Sequence, residues 1–343
     1  MSEKDVITIA RGRGVYNRIF SEDKWKQVNK VNKDIMEDFL TEYRQQKKAE
    51  STIHAYFEDL RLVLIKILED FENKSILEMS KKDFRRLNIW FDDSGMSPAR
   101  CNRIHSVINS LLTFCENDDD YDYDVNQSKK VKGVPREKVK TNDDDFFFTY
   151  NEFVQVRDIL VAQGDLQTAV MWSIFFDSGA RRNEVYQIKK DGLLDGNKTN
   201  IVRGKRGKMF PLVYLNDTKE LIRQYLKERG DDDIESLWVS YRGKVKKPLV
   251  NSDVLYDRIL KCSKILSQVR GEETNIFPHT CRHSRIECLL RGEDDRLKDK
   301  NGKNRKFTIE EVMVFVHHSD ISTTQSYAKD RSEETINNMF GIA

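Results

Sequence analysis

Three short segments of this chain combine residue types that could act on a phosphate. The first is Gly179-Ala180-Arg181-Arg182-Asn183-Glu184, with an arginine and a glutamate three positions apart. The second is His279-Thr280-Cys281-Arg282-His283, and the third runs from His317-His318 to Tyr327. Singly, each has an ordinary reading: Arg-x-x-Glu is a common intrahelical ion pair, and histidines four apart on a helix often sit satisfied in a core. Taken together they supply what phosphoryl transfer requires. Two guanidinium forks match the non-bridging oxygens, imidazoles offer donors or a base near neutral pH, and a tyrosine hydroxyl is a feasible covalent nucleophile.

The surrounding pattern is mainly helical. From Asn32, Ile35, Met36, Phe39, Leu40 and Tyr43 recur at helical spacing. A second stripe runs Ile53, Tyr56, Phe57, Leu60, Val63, Leu64 and Ile67, with Ser51-Thr52 expected as its cap. Ser80 is expected to open a third helix to about Phe91, and Ser97-Pro98 a fourth carrying Ile104 to Phe114. These four form an all-α domain over residues 30–116, preceded by a basic, irregular extension over 1–29. Between 117 and 145 an acidic run (Asp118 to Asp124) gives way to Lys129, Lys130, Lys132, Arg136, Lys138 and Lys140. With almost no apolar periodicity this reads as a charged linker, and its six cations are candidate contacts to a DNA backbone.

Residues 146–343 form the second domain. Helices are expected over 150–163, 166–178, 182–189, 217–228, 253–268, 279–290 and 308–316. The period switches to that of strands at 200–203 and 209–213, with Gly204 and Gly207 marking the turn between them. The fold class is thus mainly α with one small antiparallel sheet. A polar segment from Arg291 to Lys306 reads as a lengthened surface loop without a catalytic role.

Composition excludes more than it assigns. The chain has 343 residues and a formal net charge of only +2, so any basic surface must arise by local segregation of charge. Its five cysteines are odd in number and show no CxxC pair, which reads as reduced thiols in a cytoplasmic protein. No apolar stretch is long enough to span a bilayer, and the first residues show no signal-peptide pattern.

In these three boxes the chain resembles the tyrosine recombinase family, which includes phage integrases and the Xer and Cre recombinases. The matching residues are Arg181 with Glu184, then His279 and Arg282, then His318 and Tyr327, the last two nine positions apart as in the family. The stretch Ser322-Thr323-Thr324-Gln325 and the helical domain at 30–116 also fit, so the resemblance covers residues 30 to 335. It implies a core-binding clamp domain and a catalytic domain of the kind shared with type IB topoisomerases. It implies a site-specific recombinase, or integrase, that cuts and rejoins DNA through a 3′-phosphotyrosine at Tyr327 without metal or other cofactor. Its partners would be double-stranded DNA bearing an inverted-repeat core site and three further copies of the chain, in a tetramer on two sites, with no membrane.

By that resemblance Arg181, Arg282 and His318 hold the scissile phosphate, His279 acts near the nucleophile and Glu184 supports from behind. A hairpin lysine protonates the leaving 5′ oxygen; Lys205 in the turn is the expected one and Lys208 its rival. The short N-terminal extension points to the simpler two-domain Xer or Cre kind. One departure stands out: His317 occupies the position of the family's glycine, so either local packing differs or His317 competes with His318. Other readings are a type IB topoisomerase, a DNA-binding relative without catalysis, and a metal hydrolase using His279 and His283 with His317, His318 or Cys281.

Overall fold

The computed structural model describes residues 16–135, 146–243 and 245–317. The chain divides into two units, residues 1–144 and 145–343, each with its own apolar core.

In the first unit, α1 (Glu22–Gln27), α2 (Lys30–Gln45), α3 (Glu50–Asp70), α4 (Lys81–Asp93) and α5 (Pro98–Glu116) bury the stripes read from the sequence. Ser80 and Asp83 close a reciprocal capping box on α4, and Ser97 caps α5 with Pro98 just inside it. The expected cap of α3 is corrected: the helix starts at Glu50 after Ala49, which has no side-chain cap, so Ser51 and Thr52 lie within its first turn.

Both ends of this unit extend further than expected. Ile19 and Val28 are buried, and Ser21 caps α1, so the extension joins the fold from Tyr16 onward. Past α5 the chain remains attached through Asn126, whose side-chain amide donates to the Asn109 carbonyl and Thr113 Oγ1, both at 3.0 Å. Tyr123 and Val131 are buried beside it. The stretch read as the start of a linker is therefore packed structure through Val134, which closes onto Asn102. Arg136, Lys138 and Lys140 lie outside the described residues.

The second unit comprises α6 (Tyr150–Ala162), α7 (Leu166–Ser178), α8 (Arg182–Tyr186), β1 (Lys198–Arg203), β2 (Met209–Val213), α9 (Asn216–Arg229), β3 (Val239–Arg242), β4 (Val245–Pro248), α10 (Asp253–Arg270), α11 (Pro278–Arg291) and α12 (Ile309–Phe315). Every described residue of α7 is buried from Gln167 to Ser178, which makes it the central helix, with α6, α9 and α11 against it. Its lack of an amphipathic stripe follows from that position.

Strands β1 and β2 pair antiparallel, Val202 opposite Phe210 and Arg203 opposite Met209. One sheet was expected, and the described residues form two hairpins. The second, β3–β4, escapes a period-2 reading because exposed Lys247 and Tyr241 leave it no continuous apolar face. The fold remains mainly α with small antiparallel sheets.

Candidate active site

The first box sits where α7 ends and α8 begins. Gly179 terminates α7 in the left-handed region at φ +57°, and a Cβ there would stand 3.4 Å from Val316 Cγ1. Glycine suits this position because of its left-handed backbone, while a Cβ would meet the third box at an ordinary contact distance. Arg181 follows as the residue before α8. Its backbone N–H donates to Glu184 Oε2 at 2.8 Å, and its Nη1 donates to Oε1 at 3.1 Å. Glu184 is buried, while the Arg181 side chain remains about a third exposed. The carboxylate thus fixes the guanidinium from behind and leaves its outer edge at the surface.

Arg282 arrives from α11, buried at 2% exposure. Its Nη1 donates to the Gly179 carbonyl at 2.7 Å and its Nη2 to the Val316 carbonyl at 2.6 Å. One guanidinium from the second box therefore fastens the first box to the third. The fork is needed for this, since an ammonium could not address two carbonyls in one plane.

The third box starts at the end of α12, capped at its head by Thr308 and Glu311. His317 follows the helix at φ +54°. This is the left-handed position where a helix commonly closes on glycine, and a residue with a side chain there costs about 1–2 kcal/mol. Histidine is among the residues that enter this region more readily. Its ring stacks on Phe210 of β2, with centroids 3.8 Å apart. Burial lowers the His317 pKa from its ordinary value; Arg282, Lys208 and Arg181 push the same way, and Glu184 opposes them. A neutral imidazole is the form that results. The histidine in the glycine's place is thus packed against the hairpin. His318 and Tyr327 lie outside the described residues.

Beside these groups lies a cleft of about 260 Å³, lined among others by Ala180, Glu184, Phe210, Arg282, Phe315 and His317. Lys205 stands exposed in the 3-10 turn between β1 and β2. Lys208, also exposed, falls on the same parity as inward-facing Phe210, whereas Met209 faces out, and its charge is felt at His317. His279 is exposed in the first turn of α11.

The structure thus brings Arg181, Glu184 and Arg282 together and sets the hairpin against them through Phe210. Lys129, Lys130 and Lys132 lie exposed in the first unit, Lys129 paired with Glu116 and Lys130 bonded to Gln127.

Several supporting residues escaped the sequence reading. Arg285, three positions after Arg282 on α11, pairs with buried Asp294 at 2.5 Å. Arg296 reaches Asp177 at 2.8 Å, Asp294 at 2.8 Å and Asp217 at 2.9 Å. The segment read as a surface loop is exposed at 295, 298–303, 305 and 306, but it is anchored in the unit by buried Asp294 and by Arg296. Helical spacing from Arg282 could have flagged Arg285; nothing local marks Asp294 as buried.

Among the described residues the metal-ligand grouping is not assembled. Cys281 is fully buried with its thiol pushed well up by desolvation, whereas His279 faces solvent, and no metal-binding group of three or more such residues occurs among the described residues. All five cysteines are buried free thiols, and no described helix is long and apolar enough to cross a membrane.

No family model matches the chain. It is 27% identical over 352 residues to the SPbeta prophage-derived recombinase-like protein YomM of Bacillus subtilis, covering 96% of this chain and 97% of that one. It is 24% identical to tyrosine recombinase XerC of Treponema denticola, over 89% of this chain and 96% of that one. Its fold is similar to a lambda integrase fragment in a dimer bound to a COC′ core site (TM-score 0.65, 12% identity, 87% of this chain and 95% of that one). It is similar also to XerH site-specific recombinase bound to a palindromic difH substrate (TM-score 0.63, 16% identity, 95% and 94% covered).

Arg181 braced by a buried glutamate, with Arg282 fastening the loops beside it, is a grouping of cations of the kind that phosphoryl transfer requires. With the boxes in this order, the chain is similar along nearly its whole length to proteins named as recombinases, and it shares their fold.

Proposed function

We propose that this protein is a site-specific DNA recombinase that cleaves and rejoins strands through a covalent 3′-phosphotyrosine. The observation that carries the reading is Arg282, whose Nη atoms fasten all three boxes into one site. In the step we assign, Tyr327 Oη attacks the phosphorus and the bond from phosphorus to the 5′ oxygen breaks. Arg181, Arg282 and His318 hold the non-bridging oxygens, and His279 takes the tyrosine proton. A hairpin lysine protonates the departing oxygen, Lys205 by its place in the turn, with Lys208 its rival.

The phosphotyrosine retains the energy of the broken phosphodiester, so rejoining needs no high-energy cofactor, and the cationic side chains take the place a metal would fill. The substrate is double-stranded DNA with an inverted-repeat core, held by four copies of the chain on two sites in the cytoplasm. XerH is solved on a palindromic substrate, and a lambda integrase tetramer is solved on a Holliday junction.

The test uses the full chain and duplexes that it selects from a random-sequence pool, nicked so that a short strand diffuses away after cleavage. In excess chelator the expected product is a denaturation-resistant protein–DNA adduct with a free 5′ hydroxyl on the released strand. Absence of any adduct, or its appearance only on adding a divalent metal, would overturn the reading.

A further inference from the structure

We propose that His317 is a positioning residue that ties the third box to the hairpin bearing the candidate acid lysines, by stacking on Phe210. This deepens the recombinase reading and rests on it only for the rate of cleavage.

Three observations converge. His317 accepts a left-handed backbone at φ +54°, in the position where a glycine would sit without strain. The strain there is offset by whatever contact the side chain makes. The ring lies 3.8 Å from that of Phe210 at 29°.

Phe210 itself lies against the β1–β2 turn. A Cβ on Gly204 would stand 2.7 Å from Phe210 Cε1 and 3.0 Å from Glu184 Oε1, so the Gly204 backbone lies directly against the Phe210 ring and the Arg181 brace. Gly204, Phe210 and His317 therefore form a stack that crosses from the β1–β2 turn to the end of α12. The Gly204 N–H donates to the Lys208 carbonyl at 2.8 Å, which closes the turn carrying Lys205 on that same stack.

The hairpin and the third box have no covalent link shorter than the whole of α9 through α12. The phosphate-binding residue and the acid must nevertheless be placed together to well under an ångström for proton transfer as the bond breaks. The stack supplies that registration. The neutral ring suits the task, because an imidazolium would repel Lys208 and Arg181.

The test compares His317→Gly, Phe210→Leu and the double variant in the full chain. The first readout is amide hydrogen exchange in segment 202–210, which needs no DNA. Each single variant should raise exchange there about tenfold, that is about 1.4 kcal/mol of lost local protection, the size of an aromatic pair. The double variant should add little, as two halves of one contact do.

The second readout is the rate of adduct formation on the selected nicked duplex, with the leaving 5′ oxygen either ordinary or replaced by sulfur, which departs without a proton. His317→Gly should be about tenfold slower on the oxygen substrate and within about twofold of the wild type on sulfur. The exchange result stands even if the wild type forms no adduct, so failure of the recombinase reading is separable from failure of this one. Unchanged exchange at 202–210, additive effects of the two variants, or equal slowing on oxygen and sulfur would each overturn the proposal.

Discussion

The two units solve the problem of burying charge in opposite ways. In the first, Asp59 and Lys66 are the only buried charged side chains among the described residues, and the other buried polar ones, Asn32, Asn126 and Ser128, are neutral. In the second, Asp177, Glu184, Arg229, Arg282, Arg285, Glu287 and Asp294 are all buried. The contrast is visible in two aspartates. Burial raises the Asp59 carboxyl above its usual range although Arg103 and Arg100 pull against it. Asp294 is equally removed from water, yet hydrogen bonds from Arg296 and the charges of Arg285 and Arg296 hold it down at about 2. A unit with no charged site to assemble needs few such pairs, whereas arginines held in a fixed place need carboxylates behind them.

The largest effect should come from breaking one member of the second unit's charged cluster. Asp294→Asn leaves Arg285 and Arg296 short of an ionised partner, and should cost about 3–5 kcal/mol in urea unfolding. Asp59→Asn should cost less, because desolvation already weakens that carboxylate's advantage. Equal losses would erase the distinction between the units.

Arg282→Lys ranks next for stability, at about 2 kcal/mol for two carbonyls losing a fork. Its effect on chemistry should be larger, with adduct formation falling at least about a hundredfold. A lysine variant with near-normal cleavage would show that the fork is dispensable.

Acid sharpens the same comparison. Asp294 has its folded-state value lowered, so its contribution is complete above the unfolded value of about 3.9 and fades as pH falls toward about 2. The stability gap between the wild type and Asp294→Asn should therefore shrink across that window. A gap unchanged from pH 5 to pH 2 would assign the loss to packing.

The smallest effect concerns the basic stretch after α5. Lys129 is already neutralised by Glu116. Replacing Lys129, Lys130 and Lys132 with Gln should therefore lower the salt slope of duplex binding by about two units rather than three. A drop of three would mean that DNA displaces Glu116.

Legibility in the sequence followed the same division. The stripes of α2 to α5 were readable because an amphipathic helix shows its buried face as a period, and the caps Ser80 and Ser97 are local signals. Arg181, Glu184 and Arg282 were legible as a group because their types and order are those a phosphate site needs, and the structure brings the three together.

What escaped was non-local. Arg296 meets Asp177 from 119 residues away, and no window holds both. The segment at 121–134 is anchored by Asn126, a polar residue whose partners on α5 are invisible to a hydrophobic pattern. His317 read as an anomaly because its stacking partner lies on another element.

The central claim is that the three boxes serve one nucleophile, and the position of the covalent bond tests it most directly. The full chain is trapped on its selected nicked duplex, digested, and the DNA-linked peptide identified by mass. The account predicts linkage at Tyr327, with Tyr327→Phe binding the duplex at wild-type strength and forming no adduct. Linkage at any other residue, or an adduct that persists in the Phe variant, would contradict it.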